Sequence, residues 1–213
     1  MSVVERAGRM NAFVENSVHE LFERARLAPS EPCGGVRLAT AILGRSCIQL
    51  VPHRALPGNS ALEWNGTKSI IRVRVGLNPR QLNHAAAHEL GEWHLRWRGY
   101  DRPDCEDLAR SIAAAVCVPR TAFREARRAL GDEIPKLSRA FVVSESLMAL
   151  RIAECTGLAT ALITRRRIRT RGPAREWPTT PEGWLELVGE ARSRGLVLHR
   201  IRDARGRLVV RIP

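Results

Sequence analysis

One predicted helix constrains this chain more than any other part of the sequence. It covers residues 79–97, and Asn78 is a good N-cap for it. Within the helix, His84, His88 and Glu92 follow one another at intervals of four, so their side chains line one face. A helix face of this kind can present two ligands at i and i+4 to one metal ion.

The string from His88 to Glu92, H-E-L-G-E, differs by one residue from the zinc-peptidase pattern H-E-x-x-H. In that pattern, ligands at i and i+4 hold one metal ion, and the glutamate after the first ligand takes a proton from the attacking water. His88 and Glu92 are therefore the candidate ligands, and Glu89 is the candidate general base. Glu92 in place of histidine adds negative charge, which favours harder ions such as Mn²⁺ or Fe²⁺ beside Zn²⁺.

The next predicted helix, at about residues 104–118, carries Glu106 near its start and ends before Pro119. Because it is rich in alanine, it can pack closely on a neighbouring helix and present the Glu106 carboxylate at one end. Together the two strings resemble the ImmA/IrrE metallopeptidases of bacteria and their phages. That family has A-H-E-[LI]-G-H followed by a segment similar to E-x-x-A-x-x-F-A-A-x-L-L-M-P. Ala87–Gly91 match the first string, and the second is matched in register by Glu106, Ala109, Ile112, Ala113, Ala114, Val116 and Pro119.

This resemblance covers about residues 15–165 and implies a fold, a site and a function. The fold is α+β: a small zincin-like metallopeptidase core with a short mixed sheet and an active-site helix, followed by a helical continuation and a C-terminal helix-hairpin. The implied site has Zn²⁺ held by His88, Glu92 and Glu106, with Glu89 as the catalytic residue. The implied function is that of a metallo-endopeptidase that cleaves helix-turn-helix repressors in mobile-element or stress responses. Residues 137–152 look like the helix-turn-helix-like continuation of the family.

These side chains also have simpler interpretations. His88 and Glu89 can be surface residues, and a glutamate at the position of Glu106 is favoured by the helix dipole alone. His84 can line the cleft, add a ligand or be a partly exposed helix residue. The alternative function is a non-catalytic binding module or a DNA-contacting regulator, with a peptidase fold whose metal site decayed at Glu92.

Several nearby residues are predicted to have structural roles. His94 lies about 120° round the helix from His88, so it cannot replace the missing histidine ligand. Trp93 and Trp97 are four apart, a spacing that suits a binding platform but more often marks a buried helix face. Cys105 is about 100° round its helix from Glu106 and is assigned to packing, and Cys117 is assigned to the core.

The rest of the chain contains short predicted elements. Helices are predicted at residues 10–28, 120–130, 136–141, 144–155, 158–164 and 182–193, and strands at 36–43, 47–51, 69–75, 196–201 and 207–212. The last two strands form a predicted hairpin. The sequence therefore predicts that the whole chain has three parts. They are a metallopeptidase core over residues 1–130, a helical continuation with a basic cluster over 131–171, and a linker with the C-terminal helix and hairpin over 172–213.

Positive charge is concentrated towards the C-terminus. The 213 residues carry a formal net charge of +13, of which residues 1–119 account for +3 and residues 120–213 for +10. Five arginines lie close together at positions 165, 166, 167, 169 and 171. This charge permits contact with nucleic acid or with an acidic protein, although a solvated arginine-rich surface explains it equally well.

The cysteine and hydropathy patterns predict a cytoplasmic protein. The five cysteines are scattered without a CxxC pair, which argues against a disulfide framework and against a thiolate zinc site. No apolar run reaches the ~18 residues of a membrane-spanning helix, and the charged N-terminus lacks the apolar core of a secretory signal. No membrane partner is therefore expected.

Overall fold

The structure is a computed structural model that describes residues 3–64, 68–100, 105–156, 159–163, 168–171, 186, 198–201 and 207–212. The chain divides into two compact units, residues 10–144 and residues 1–9 together with 145–213. The elements, in chain order, are α1 (Val3–Ala25), α2 (Gly34–Leu43), β1 (Ile48–Val51), a 3₁₀ turn (His53–Ala55), β2 (Ser60–Trp64), β3 (Ser69–Arg74), α3 (Pro79–Trp97), α4 (Cys105–Cys117), α5 (Arg120–Leu130), α6 (Ile134–Ala140), α7 (Glu145–Thr156), β4 (Ala159–Ile163), β5 (Ile168–Arg171), β6 (Leu198–Ile201) and β7 (Arg207–Ile212).

The predicted α+β core with a short mixed sheet is confirmed. In the unit of residues 10–144, β3 lies between the other two strands, parallel to β1 and antiparallel to β2. Ile71 and Val73 alternate with arginines along β3 and are completely buried, as expected for a strand with one face on the core. The strand β2, which pairs Ser60 with Val73, was not predicted from the sequence.

The α3 helix begins where the sequence predicts. The Asn78 side chain accepts a hydrogen bond from the Gln81 backbone amide at 3.0 Å, and the Gln81 side chain accepts one from the Asn78 amide at 3.1 Å. This reciprocal pair is a capping box, and Pro79 occupies the first turn, where a missing amide hydrogen has no cost. The cap fixes the first residue of the helix and therefore the direction of every side chain along it.

The α3 and α4 helices approach closely because small residues meet between them. A Cβ atom placed on Gly91 would lie 3.0 Å from the carbonyl oxygen of Ala109, and Ala86 and Ala113 are completely buried. The contact lies one turn after His88 on α3 and one turn after Glu106 on α4. Close packing at this point therefore brings the first turn of α4 against His88.

The strand predicted at residues 36–43 is wrong, because this segment is the helix α2. Its buried positions, Gly34, Gly35, Leu38 and Ala39, repeat with helical spacing. A Cβ atom on Gly35 would lie 2.2 Å from the Asn83 carbonyl oxygen and 2.4 Å from the Ala87 amide nitrogen. The glycine pair, which resembles a turn in the sequence, instead lets α2 lie against the backbone of α3.

The other unit contains a four-stranded sheet with the order β5-β4-β7-β6, in which all three pairings are antiparallel. The helix predicted at residues 158–164 is wrong: residues 159–163 are β4, and pairing with residues 208–212 of β7 determines their conformation. The predicted C-terminal hairpin is confirmed as β6 and β7. The helix predicted at residues 182–193, apart from Glu186, and the linker after Arg171 lie outside the described residues.

Within the described part of the chain, no helix is both long and apolar enough to cross a membrane.

Candidate metal centre

Three of the predicted site residues converge where α3 meets α4. The Nε2 atom of His88 lies 3.4 Å from Oε1 of Glu92 and 3.5 Å from Oε1 of Glu106. One potential ligand atom from each side chain falls within 4.8 Å of the other two. His88 and Glu92 are brought together by their i, i+4 spacing on α3, and Glu106 reaches them from the first turn of α4. The side chain of Glu106 is half-exposed, whereas those of His88 and Glu92 are mostly covered.

The imidazole of His88 is oriented through one nitrogen. Its Nε2 atom faces both carboxylates, whereas Nδ1 is buried and has no hydrogen-bond partner within the described residues. Burial lowers the pKa of His88, but the hydrogen bond with Glu92 and the charges of Glu89 and Glu106 outweigh it and raise that pKa above its ordinary value. The contact with His88 in turn lowers the pKa of Glu92, so Glu92 is a carboxylate at neutral pH.

Glu89 is buried, with 3% of its surface exposed, although it is a charged residue on a helix. The hydroxyl of Ser60, on β2, donates a hydrogen bond of 2.7 Å to its Oε1 atom. Burial raises the pKa of Glu89, and this hydrogen bond opposes the shift. A buried carboxylate beside the charges of His88, Glu92 and Glu106 has the properties expected of a general base.

Two arginines contact the candidate ligands from the outside. Arg96 is one turn beyond Glu92 on α3, and its Nη2 atom donates a hydrogen bond of 3.1 Å to Oε2 of Glu92. Arg110 is one turn beyond Glu106 on α4, and its Nη2 atom lies 2.7 Å from Oε1 of Glu106. Arg110 thus contacts the Glu106 oxygen that faces His88. Arg96 instead contacts Oε2 of Glu92, whereas Oε1 of Glu92 faces His88.

The donor set is compatible with a divalent transition-metal ion. One imidazole nitrogen and two carboxylate oxygens are ligands that Zn²⁺, Mn²⁺ and Fe²⁺ all accept. The Nε2 atom of His88 lies 3.4 Å and 3.5 Å from the two carboxylate oxygens, and all three ligand atoms lie close enough to surround one ion. The residues present therefore fit the metal implied by the resemblance.

The neighbouring residues considered from the sequence have other environments. His84 is half-buried one turn before His88, and the cluster of three ligand atoms does not include it. His94 is buried on another face, with Nε2 3.6 Å from a carboxylate oxygen of Glu20 on α1, and burial lowers its pKa to about 4. It does not replace the missing ligand.

The Cys105 thiol lies 3.4 Å from the carbonyl oxygen of Tyr100, and the cluster of three ligand atoms does not include it.

The two tryptophans differ in exposure. Trp93 is buried, whereas Trp97 is 50% exposed and stacks on it with 6.2 Å between ring centroids. The guanidinium of Arg24 lies 4.6 Å from the centre of the Trp97 ring. Arg24 on α1 therefore packs on this pair, and the buried helix face that the spacing favours is found for Trp93 but not for Trp97.

The sequence of residues 53–153 matches the family model of the IrrE N-terminal-like domain, Peptidase_M78. This segment of the chain is similar to that family. The IrrE-like segment contains α3, α4 and every residue of the candidate site, and it confirms the resemblance predicted from the two strings. The match is shorter than the 15–165 expected from the sequence.

The comparison with solved structures supports the fold and does not bear on the activity. A solved structure described as a transcriptional regulator of Mycobacterium tuberculosis is similar at a TM-score of 0.58 and 19% sequence identity. The similarity covers 91% of this chain and 66% of that structure, so the chain spans somewhat less than two thirds of its length. No curated protein sequence matches.

Ser60, Arg96 and Arg110 are the residues of the site that sequence reasoning missed. Arg96 and Arg110 had a signal, because each lies four residues after a candidate ligand of opposite charge. Ser60 had none, since its contact with Glu89 depends on how β2 packs against α3.

Proposed function

We propose that this protein is a metal-dependent endopeptidase whose metal ion is held by His88, Glu92 and Glu106. The observation that carries the proposal is the convergence of these three side chains beside the buried carboxylate of Glu89. The similarity of residues 53–153 to the IrrE-like family supports a peptidase of this kind. Zn²⁺ is the expected metal, and the two carboxylates also suit Mn²⁺ or Fe²⁺.

The protein residues divide the chemistry between them. A bound metal ion supplies a Lewis acid that polarises the scissile carbonyl group. Glu89 takes a proton from the attacking water and later delivers it to the leaving amine. The Ser60 hydroxyl holds Oε1 of Glu89, which leaves Oε2 to exchange the proton. The raised pKa of Glu89 suits this task, because a stronger base accepts the proton more readily.

The proposed substrate is a helix-turn-helix transcriptional repressor in the cytoplasm. The family to which residues 53–153 are similar supports a regulatory peptidase, and the similar structure from Mycobacterium tuberculosis is described as a transcriptional regulator. The net charge of +10 in residues 120–213 favours docking of an acidic protein surface and permits contact with nucleic acid.

A non-catalytic binding module is the second candidate, and one observation favours it. Arg96 and Arg110 pair with Glu92 and Glu106, so the two carboxylates have partners of opposite charge without a metal ion. A site that has lost its metal can keep such an ion-pair network. In this second reading the chain retains the peptidase fold as an adaptor or DNA-contacting regulator.

Metal analysis of protein purified without chelator separates the two functions. The peptidase requires about one equivalent of metal, lost in His88→Ala and in Glu106→Ala but retained in His84→Ala. Absence of metal after loading with Zn²⁺, Mn²⁺ and Fe²⁺ would favour the binding module and overturn the peptidase.

The substrate is tested by mapping new protein N-termini in a cell lysate treated with metal-loaded protein. The expected result is cleavage within a helix-turn-helix protein, present with the wild type and absent with Glu89→Gln. If metal-loaded wild type produces no N-termini beyond those of Glu89→Gln, the proposed activity is wrong even though the metal site is right.

A further inference from the structure

We infer that Arg96 is a positioning residue, which holds Oε2 of Glu92 so that the carboxylate presents one oxygen and the Glu92–Arg96 pair presents no net charge to the metal ion. This inference rests on the proposed metal site and concerns how the chain tolerates glutamate where the zinc-peptidase pattern has histidine. A neutral group with one ligand atom is what a histidine supplies at that place.

The two oxygens of Glu92 have different partners. Oε1 lies 3.4 Å from Nε2 of His88, inside the cluster, and Oε2 accepts a hydrogen bond of 3.1 Å from Nη2 of Arg96, outside it. The Glu92 side chain is 23% exposed and that of Arg96 is 48% exposed, so the guanidinium lies on the solvent side of the carboxylate. The carboxylate is therefore held between an inner and an outer partner.

The orientation of a carboxylate determines how many ligand atoms it supplies. With both oxygens free, a glutamate can bind one ion through both of them, which raises the coordination number and suits larger, harder ions. With one oxygen occupied by a guanidinium, the same glutamate supplies one ligand atom, as four-coordinate Zn²⁺ sites require. Arg96 is therefore expected to shift the preference of the site towards Zn²⁺.

Arg110 does not have the same role, although its position relative to Glu106 repeats that of Arg96 relative to Glu92. Its Nη2 atom lies 2.7 Å from Oε1 of Glu106, the oxygen that is 3.5 Å from His88. Arg110 therefore contacts the Glu106 oxygen that faces the cluster, and it does not leave that oxygen free for a metal ion. Its other nitrogen, Nη1, contacts Asp107 at 3.2 Å.

The inference is tested with Co²⁺ in place of the natural metal, because four-coordinate Co²⁺ absorbs visible light much more strongly than five- or six-coordinate Co²⁺. In Arg96→Ala we expect the visible absorption of bound Co²⁺ to fall several-fold and the preference for Zn²⁺ over Mn²⁺ to fall by about tenfold. Arg96→Lys, which keeps a donor and the charge, should restore most of both.

Arg98→Ala is the matched control, because Arg98 follows Arg96 by two residues and its Nη1 atom is paired with Glu20 at 3.0 Å. It removes the same charge without touching a ligand, so its Co²⁺ spectrum should equal that of the wild type. A second control is Arg96→Ala in the Glu92→His background. Histidine offers no second oxygen, so removal of Arg96 should leave the spectrum unchanged there.

The outcomes separate this inference from the proposed function. If the wild type binds neither Co²⁺ nor Zn²⁺, the metal site itself is wrong and the inference falls with it. If the wild type binds both ions and Arg96→Ala has the same spectrum and the same metal preference, Arg96 is an ordinary surface ion pair. In that case the inference is overturned and the metallopeptidase proposal stands.

Discussion

The carboxylate of Glu89 is buried, and the hydroxyl of Ser60, from another element of the fold, donates a hydrogen bond to one of its oxygens. In Glu89→Gln the amide oxygen can still accept the Ser60 hydrogen bond, so the local packing is preserved. The side chain can no longer accept a proton. We therefore expect proteolysis to fall by about 10²–10⁴-fold, with metal content and melting temperature nearly unchanged. Cleavage assays, metal analysis and thermal unfolding measure the three quantities, and undiminished cleavage would contradict the role of Glu89.

Glu92→His replaces a carboxylate with the ligand of the zinc-peptidase pattern. The site gains a second imidazole and loses one negative charge, and imidazole is a preferred Zn²⁺ ligand. We expect zinc affinity to rise by roughly tenfold, equivalent to about 1.4 kcal/mol. Competition with a chromogenic chelator gives the affinity of both proteins, and an unchanged value would show that residue 92 does not face the metal. A rise in affinity without proteolysis would instead favour the binding module.

Cys117 illustrates a residue whose sequence assignment to the core is confirmed. It is 1% exposed, and burial raises the pKa of its thiol to about 12. At pH 8 only about one molecule in ten thousand carries the reactive thiolate, so iodoacetamide should leave Cys117 unmodified in the native protein. Peptide mapping by mass spectrometry should detect the modification after unfolding in urea. Rapid labelling without urea would mean that the α2–α3–α4 packing opens readily.

The sequence predicted the three side chains that converge at the candidate site and missed the residues that contact them. His88, Glu89 and Glu92 are within one helix turn, and Glu106 belongs to the second string, so spacing and register were sufficient. The contact of Ser60 with Glu89 joins residues that are distant in the chain, and no local pattern encodes it. The choice of Arg96 for the outer oxygen of Glu92 is a matter of side-chain conformation, which spacing alone does not determine.

The close packing of α2 on α3 leaves no room for a side chain at Gly35. In Gly35→Ala the new methyl group would meet the backbone of α3 at 2.2–2.4 Å, and neither helix can move away without opening the core. We expect the free energy of unfolding to fall by about 3 kcal/mol or more, because overpacking against backbone has no flexible side chain to relax. Urea denaturation measures this change.

The control for that substitution is Gly58→Ala in the loop before β2, where the nearest atom to an added Cβ is 4.0 Å away. Its unfolding free energy should remain within about 0.5 kcal/mol of the wild type, as for most surface substitutions. Equal stability of the Gly35 and Gly58 variants would show that α2 does not pack on α3 as described.

The wrongly predicted elements share a physical cause. Residues 36–43 are apolar on several sides, and a short run of that kind suits a buried helix as well as a strand; the close packing of Gly35 on α3 decides for the helix. Residues 159–163 had helical potential, but their partners are residues 208–212, far along the chain. In both cases a tertiary contact outweighs the local preference, whereas α3 carries its own capping box and could be placed from the sequence.

For the whole molecule, a metal ion that joins α3 to α4 should stabilise the folded state. At a free metal concentration 100 times the dissociation constant, binding adds about 2.7 kcal/mol. For a chain of this size that corresponds to a rise in melting temperature of roughly 5–10 °C. Calorimetry with and without a chelator measures the shift, and His88→Ala should show none. A chelator-insensitive melting temperature in the metal-loaded wild type would contradict ligation across the two helices.

The ligands of the candidate site come from two helices that are consecutive in the chain, and this has a consequence for chain entropy. The loop that must close to bring Glu106 to His88 is short, and the entropic cost of closure grows only with the logarithm of loop length. The close contact of Gly91 with Ala109 already closes that loop when the helices pack. The three candidate ligands therefore come together when α3 and α4 pack. The hydrogen bond from Ser60 to Glu89 forms only when β2 packs against α3. A helical pair that brings the candidate ligands together locally can accept a different residue at one of these positions, as with Glu92 in place of the histidine of the zinc-peptidase pattern, without altering the packing of the rest of the chain.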